Sequence, residues 1–194
     1  MAHPGGSAGS IARPAGLPAC RIGGVAHRCE SIGGVGHTAK AGSWFTGAVT
    51  LTSVYSISDP RVREFLLAGT RTGKLSYTAA DGRPLVAPVW FVLEDDALVF
   101  NTGASTAKGR ALRRDPRATV CVDLEQPPYA YVQVQGSAEL SEEPRDLVAT
   151  ATAIGRRYMG AGKAEEFGRR NGVPGELVVR LRPVKVIANF NVIG

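Results

Sequence analysis

Apolar residues are scattered singly over the first fifty or so positions and then, from about Val54 onward, gather into short runs separated by turn residues. Ser58-Asp59-Pro60 ahead of Arg61–Leu67 predicts a helix, since Asp59 suits the cap, Pro60 the first turn and Gly69 the exit. Val62, Phe65 and Leu66 fall on one face of it. Two β-prone runs follow, Lys74–Thr78 and Pro84–Leu93, joined by Ala79-Ala80-Asp81-Gly82, whose Asp-Gly pair is a strong hairpin signal. A third run, Leu98–Thr102, comes after the acidic turn Glu94-Asp95-Asp96.

The stretch Ser105–Arg114 then takes a helical pattern, with Ser105 as its cap and Asp115-Pro116 as its stop. Strands are predicted at Ala118–Asp123 and Tyr131–Leu140; in the latter Val132 and Val134 point one way, and Tyr131, Gln133 and Gln135 the other. Helices over Glu143–Tyr158 and Lys163–Arg170, interrupted around Gly160-Ala161-Gly162, precede a long or bent strand Glu176–Phe190 with Pro183 inside it. Many antiparallel strands with few helices predict a mainly β fold with peripheral helices, closed or partly closed as a barrel so that exposed edges are removed.

Composition divides the chain. A length of 194 residues with 44% hydrophobic content supports one ordinary core. The Gly-, Ala-, Ser- and Pro-rich opening cannot bury enough apolar area to fold, so residues 1–57 are expected to be a flexible, disordered extension and residues 58–194 the folded domain. The extension carries Arg13, Arg21, Arg28 and Lys40 but no apolar segment long enough for a signal-peptide core or a membrane span, and the expected location is the cytoplasm.

Three cysteines without regular spacing argue against a disulfide framework. Cys20 and Cys29, with His27 and His37, match no compact ligand pattern, so no metal site is expected; Cys121, inside a β-like run, is expected as a small buried hydrophobe. The net charge of +6 is modest and no basic helix interleaved with aromatics accompanies it, so nucleic acid is not an expected partner.

Candidate chemistry concentrates in one segment, Phe100-Asn101-Thr102-Gly103-Ala104-Ser105-Thr106-Ala107-Lys108-Gly109-Arg110. A strand ends in a glycine-containing turn, hydroxyls gather at a helix start, and Lys108 lies in the first turn, an arrangement that suits a phosphate. An ordinary surface helix with a solvated basic face has the same pattern. Neither a Walker loop nor a dinucleotide fingerprint is present. All three histidines, His3, His27 and His37, lie in the extension, and no Ser-His-Asp or Cys-His set emerges.

Taken together, Asp81-Gly82-Arg83-Pro84, Pro88-Val89-Trp90-Phe91, Phe100-Asn101-Thr102, Ser105, Lys108 and Leu112-Arg113-Arg114-Asp115-Pro116-Arg117 resemble the pyridoxamine-phosphate-oxidase-like split β-barrels, the FMN-binding split-barrel superfamily. Within these the chain is most similar to the actinobacterial flavin/deazaflavin oxidoreductases that use coenzyme F420. The resemblance implies a homodimeric flavoprotein-like enzyme with two cofactor sites at the subunit interface. It implies that Asn101, Thr102, Ser105, Thr106, Lys108 and Arg110 hold the phosphate side of the cofactor, with the ring against Val86, Pro88, Val89 and Trp90.

The FMN-using oxidases carry an arginine and a lysine in the second strand, where this chain has Leu85–Phe91, a departure that shifts weight from FMN to coenzyme F420. The Arg110, Arg113, Arg114 and Arg117 cluster then either meets the acidic oligoglutamate tail of that coenzyme or forms surface salt bridges. Trp90 covers the ring, lines the substrate pocket or packs in the core, and Pro88 fits an edge, a bulge or a ligand-facing position. The implied activity is hydride transfer to an activated double bond of a small conjugated molecule, with the proton from solvent or from Tyr77 or Tyr131. The alternatives are an FMN-dependent oxidase or reductase of the same fold and a non-catalytic flavin, deazaflavin or haem binder.

Overall fold

A computed structural model describes residues 53–193. The expected extension, with Cys20, Cys29 and the three histidines, lies almost wholly outside the described residues. In chain order the elements are β1 (Ser53–Tyr55), α1 (Pro60–Leu67), β2 (Gly73–Thr78), β3 (Pro84–Val89), β4 (Val92–Glu94), β5 (Ala97–Gly103) and α2 (Ala107–Arg114). There follow β6 (Arg117–Asp123), β7 (Tyr131–Ser141), α3 (Pro144–Met159), a short 3-10 turn at Ala161–Lys163, α4 (Ala164–Asn171) and β8 (Glu176–Asn189). Among the described residues no helix is long and apolar enough to cross a membrane.

All eight strands join one antiparallel sheet in the order β3-β2-β6-β7-β8-β5-β4, with β1 paired to β8. The sheet does not close, which makes the fold a split barrel, mainly β with peripheral helices. One edge of β8 pairs with β7 along its length, while the other takes β5 first and β1 last. Between these halves the register shifts: Gln135 faces Lys185 but Gly136 faces Pro183, leaving Val184 as the extra residue. Pro183 lacks an N–H and tolerates this break, and a Cβ on Gly136 would come within 2.1 Å of the Arg182 carbonyl oxygen. The bend expected at Pro183 is this bulge.

Alternation fills the interior. Leu75, Val120, Val122, Val132, Val134, Phe100 and Leu181 meet inside the barrel, joined by Val62 and Leu66 of α1. Asp59 caps α1 as its position suggests, its Oδ1 accepting from the Arg61 N–H at 2.8 Å. The opposite face of β5 is covered too: Ala97, Val99 and Val178 pack under Leu147 of α3. That double coverage is why Ala97–Phe100 forms an uninterrupted apolar run.

Two expectations need correction. The single strand Pro84–Leu93 is two strands, β3 and β4, broken at Trp90-Phe91. Phe91 turns into the core, and side chains replace its ladder partners: the Phe91 N–H donates to Tyr158 Oη at 3.2 Å, and its carbonyl accepts from Arg157 Nη1 at 2.9 Å. Cys121 is half-buried and lies on the face opposite Val120 and Val122, because strict alternation in β6 turns it away from the core. Burial and the neighbouring Asp123 carboxylate push its thiol pKa up, so it is held as a thiol.

Arg157 is the clasp of this architecture. Besides the Phe91 carbonyl it reaches those of Leu66 at 2.6 Å and Gly69 at 3.2 Å, and its guanidinium lies 4.4 Å from the Phe91 ring centroid. Tyr158 Oη donates to the Arg71 carbonyl at 2.9 Å. The end of α3 is thus tied to α1 and to the β3–β4 break. Replacing Arg157 by Met leaves three carbonyls without this donor and should lower stability by about 2–4 kcal/mol in urea unfolding; a loss within experimental error would show that water serves those carbonyls equally well.

Candidate functional site

The turn after β5 is built by two threonines. Thr106 caps α2: its Oγ1 accepts from the Gly109 N–H at 3.1 Å and donates to the Gly103 carbonyl at 2.7 Å. With its one proton so used, Thr106 Oγ1 must accept from Thr102 Oγ1, 3.1 Å away. The cap is therefore Thr106, where the sequence suggested Ser105; both hydroxyls suit a cap, and the helix start at Ala107 decides between them. Ser105 instead offers its carbonyl to the Arg110 guanidinium.

Gly109 lets α2 sit directly on the turn, since a Cβ there would come within 2.3 Å of the Gly103 carbonyl oxygen. Capping consumes the Gly109 N–H and leaves the Ala107 and Lys108 amides at the helix start without intrahelical partners. Lys108 is half-buried and forms no hydrogen bond or salt bridge among the described residues. Two amides and an uncommitted ammonium on a tight turn form a donor set that fits a phosphoryl group.

The arginines of the cluster are engaged within the protein. Arg113 pairs with Glu142 at 2.5 Å, Arg114 donates to the Thr78 carbonyl at 2.7 Å, and Arg117 grips Asp115 with two bonds of 2.9 and 2.8 Å. The Arg117 hydrogen bonds hold the Asp115 carboxyl down to about 2. An acidic tail would have to compete with these contacts.

The remaining candidates separate by face. On β3, Val86 and Pro88 are exposed on the outer side of an edge strand, beside Ser76 and Lys74 of β2, whereas Val89 is in the core. Pro88 thus occupies an edge, where a missing N–H breaks no outer ladder. Trp90 stacks parallel on Tyr158 with centroids 4.8 Å apart and remains 38% exposed, so it belongs to a rim and not to the core. Gln133 and Gln135 share the outer face and bond to each other at 2.8 Å, and Tyr77 is nearly buried in the barrel.

Thr102 and Asn101 point to opposite sides of β5. Thr102 joins the capping hydroxyls, while Asn101 borders a cavity of about 180 Å³ lined by Trp90, Ala151, Ile154, Phe167, Asn171 and Glu176. Burial raises the Glu176 carboxyl pKa. Sequence reasoning missed Glu176, Phe167 and Asn171. Glu176 faces Gly103 across the β5–β8 ladder, a pairing of residues more than seventy positions apart that no local pattern announces.

Residues 58–190 match the pyridoxamine 5'-phosphate oxidase family, and the chain belongs to it. Among solved structures it is similar to a conserved hypothetical protein from Mycobacterium tuberculosis, with 24% identity and a TM-score of 0.61 over 69% of this chain and 84% of that one. A structure described as an F420 reductase shares 25% identity and a TM-score of 0.50, covering 63% of this chain and 94% of its own. The haem storage protein HutZ from Vibrio cholerae, 18% identical with a TM-score of 0.54 over 69% of this chain and 96% of that one, shares the fold.

Two outcomes check the turn. Thr106→Ala removes the cap and the acceptor for Thr102, and urea unfolding should register a loss of about 1–2 kcal/mol; an unchanged midpoint would mean that another group caps α2. Asp115 has a depressed folded pKa, so its contribution is present above its ordinary value of 3.8 and lost as pH falls toward about 2. In Asp115→Asn the stability profile should be flatter in that window, and an unchanged slope would assign acid sensitivity to other carboxylates.

Proposed function

We propose that this protein is a reductase that uses coenzyme F420 to deliver a hydride to an activated double bond of a small conjugated molecule. The observation that carries this reading is the uncommitted Lys108 ammonium beside the Ala107 and Lys108 amides on the Thr106-capped turn, in a chain of a family named for a phosphate-bearing substrate. The similarity to the F420 reductase supports the choice of cofactor, as does the Leu85–Phe91 stretch, which brings no arginine or lysine toward a flavin ring.

When bound, the deazaflavin supplies an obligate two-electron hydride donor. The chain's own residues supply the rest. Lys108 and the two amides fix the phosphate, while Thr102 and Thr106 hold the turn that aims them. The exposed outer positions Val86 and Pro88 give the ring side an apolar strand edge, which a second copy of the chain would cover in a homodimer with the cofactor at the boundary.

Fluorescence titration of the purified protein with coenzyme F420 and with FMN tests the reading, followed by oxidation of the reduced coenzyme against enone, quinone and tetrapyrrole acceptors. Coenzyme F420 should bind more tightly than FMN, and at least one acceptor should consume it. Tighter FMN binding would overturn the cofactor, and tight binding without turnover across the panel would make the protein a carrier. Lys108→Ala should weaken coenzyme binding by about 1.5–3 kcal/mol while leaving the unfolding midpoint unchanged; unaltered affinity would remove Lys108 from the site.

A further inference from the structure

The cavity beneath α3 and α4 has a chemistry that the phosphate turn does not use. Its aromatic wall is the Trp90 indole and the Phe167 ring, with centroids 5.8 Å apart and planes tilted by 30°, and Ile154 adds an apolar floor. The close seating of α4 on α3 sets this wall: a Cβ on Gly155 would fall 2.7 Å from the Phe167 Cβ, so glycine lets that ring reach the cavity.

Three polar side chains border the same space. Asn101 is conspicuous, because both its Oδ1 and its Nδ2 are buried and neither finds a hydrogen-bond partner among the described residues. A native core leaves an amide unpaired only at a substantial cost, so a side chain held this way is suited to receive a polar ligand. The cavity is where such a group fits, and the broad terminal torsion of asparagine brings either amide atom to it. Asn171 Nδ2 donates one N–H to the Phe167 carbonyl at 2.9 Å, which leaves its carbonyl oxygen as an acceptor and its second N–H as a neutral donor. Glu176 has no cationic partner among the described residues, and burial has already raised the pKa of its carboxyl.

The inventory is lopsided. Glu176, Asn171 and Asn101 present acceptors, the donors are neutral ones from the two asparagine amides and the Trp90 indole, and among the described residues no lysine or arginine lines the space. We propose that this cavity is a binding site for a small planar ring, neutral or cationic, that carries N–H donors, and that it rejects carboxylates and phosphates of the same size. The ring lies against Trp90 and Phe167, its N–H groups bond to Glu176 and Asn171, and Asn101 reads whatever donor or acceptor stands beside them. The site thus has the opposite charge preference to the Lys108 turn, although Glu176 pairs across the β5–β8 ladder with Gly103 of that turn. It is carried by its own residues and does not depend on the cofactor reading.

Benzamidine and benzoate are matched probes, since they share a ring and a planar substituent but differ in whether that substituent donates or accepts. Isothermal titration calorimetry on the full chain should show benzamidine binding at least about tenfold more tightly than benzoate, with quenching of tryptophan emission that Trp90→Phe abolishes. Glu176→Gln should weaken benzamidine by about tenfold or more and leave benzoate unimproved or slightly better, with the circular dichroism spectrum unchanged. Asn171→Leu gives a second measure if Glu176→Gln folds poorly, and Lys108→Ala should leave benzamidine binding as it was. Equal affinity for the two probes, no detectable benzamidine binding, or full retention of benzamidine affinity in folded Glu176→Gln or Asn171→Leu would each overturn the proposal.

Discussion

Everything in this fold is hung on one strand. β8 pairs with β7 along one edge and with β5 and then β1 along the other, so the sheet can curl only if β8 bends between its two sets of partners. Pro183 and Gly136 make that bend possible, one by lacking a donor and the other by lacking a Cβ, and Val184 is turned outward as the surplus residue. Because β5 is held in fixed register against β8, Phe100 enters the barrel, Val99 meets α3 and Gly103 ends the strand opposite Glu176. The phosphate-like turn and the Glu176-lined cavity are two consequences of that single register.

Much of this was legible in the chain, wherever the determinant is local. Asp59-Pro60 specifies the start of α1, the Asp81-Gly82 pair turns β2 into β3 with Gly82 at a φ of 85°, and the alternation in Tyr131–Gln135 correctly sorts the valines from the glutamines. What was not legible depends on partners distant in sequence. No local rule says that Phe91 leaves its strand, because the groups that receive its backbone are Arg157 and Tyr158, far along the chain. The same reason hid the cavity: Asn101 looks like part of the phosphate segment until α3 and α4 are laid over its face of β5.

The candidate site divides accordingly. Thr102, Thr106 and Lys108, chosen from a strand–turn–helix pattern, do assemble on one turn, because that pattern is the turn. Val86 and Pro88 lie on an outer strand edge, Val89 lies in the core, and Trp90 with Asn101 faces α3 and α4. Period-two alternation places neighbours in sequence on opposite faces, so a contiguous motif need not be a contiguous site. The four arginines teach a related lesson: a basic cluster in sequence becomes four separate contacts to carbonyls and carboxylates once folded.

The proposed function requires the start of α2 to seat the phosphate of a deazaflavin, and amide chemical shifts locate such a seat directly. On stepwise addition of coenzyme F420 to the isotope-labelled full chain, the largest perturbations should fall on the Ala107 and Lys108 amides, with smaller ones on Thr102 and Gly103. Perturbations centred elsewhere while these amides stay still would show that the coenzyme does not bind at the start of α2.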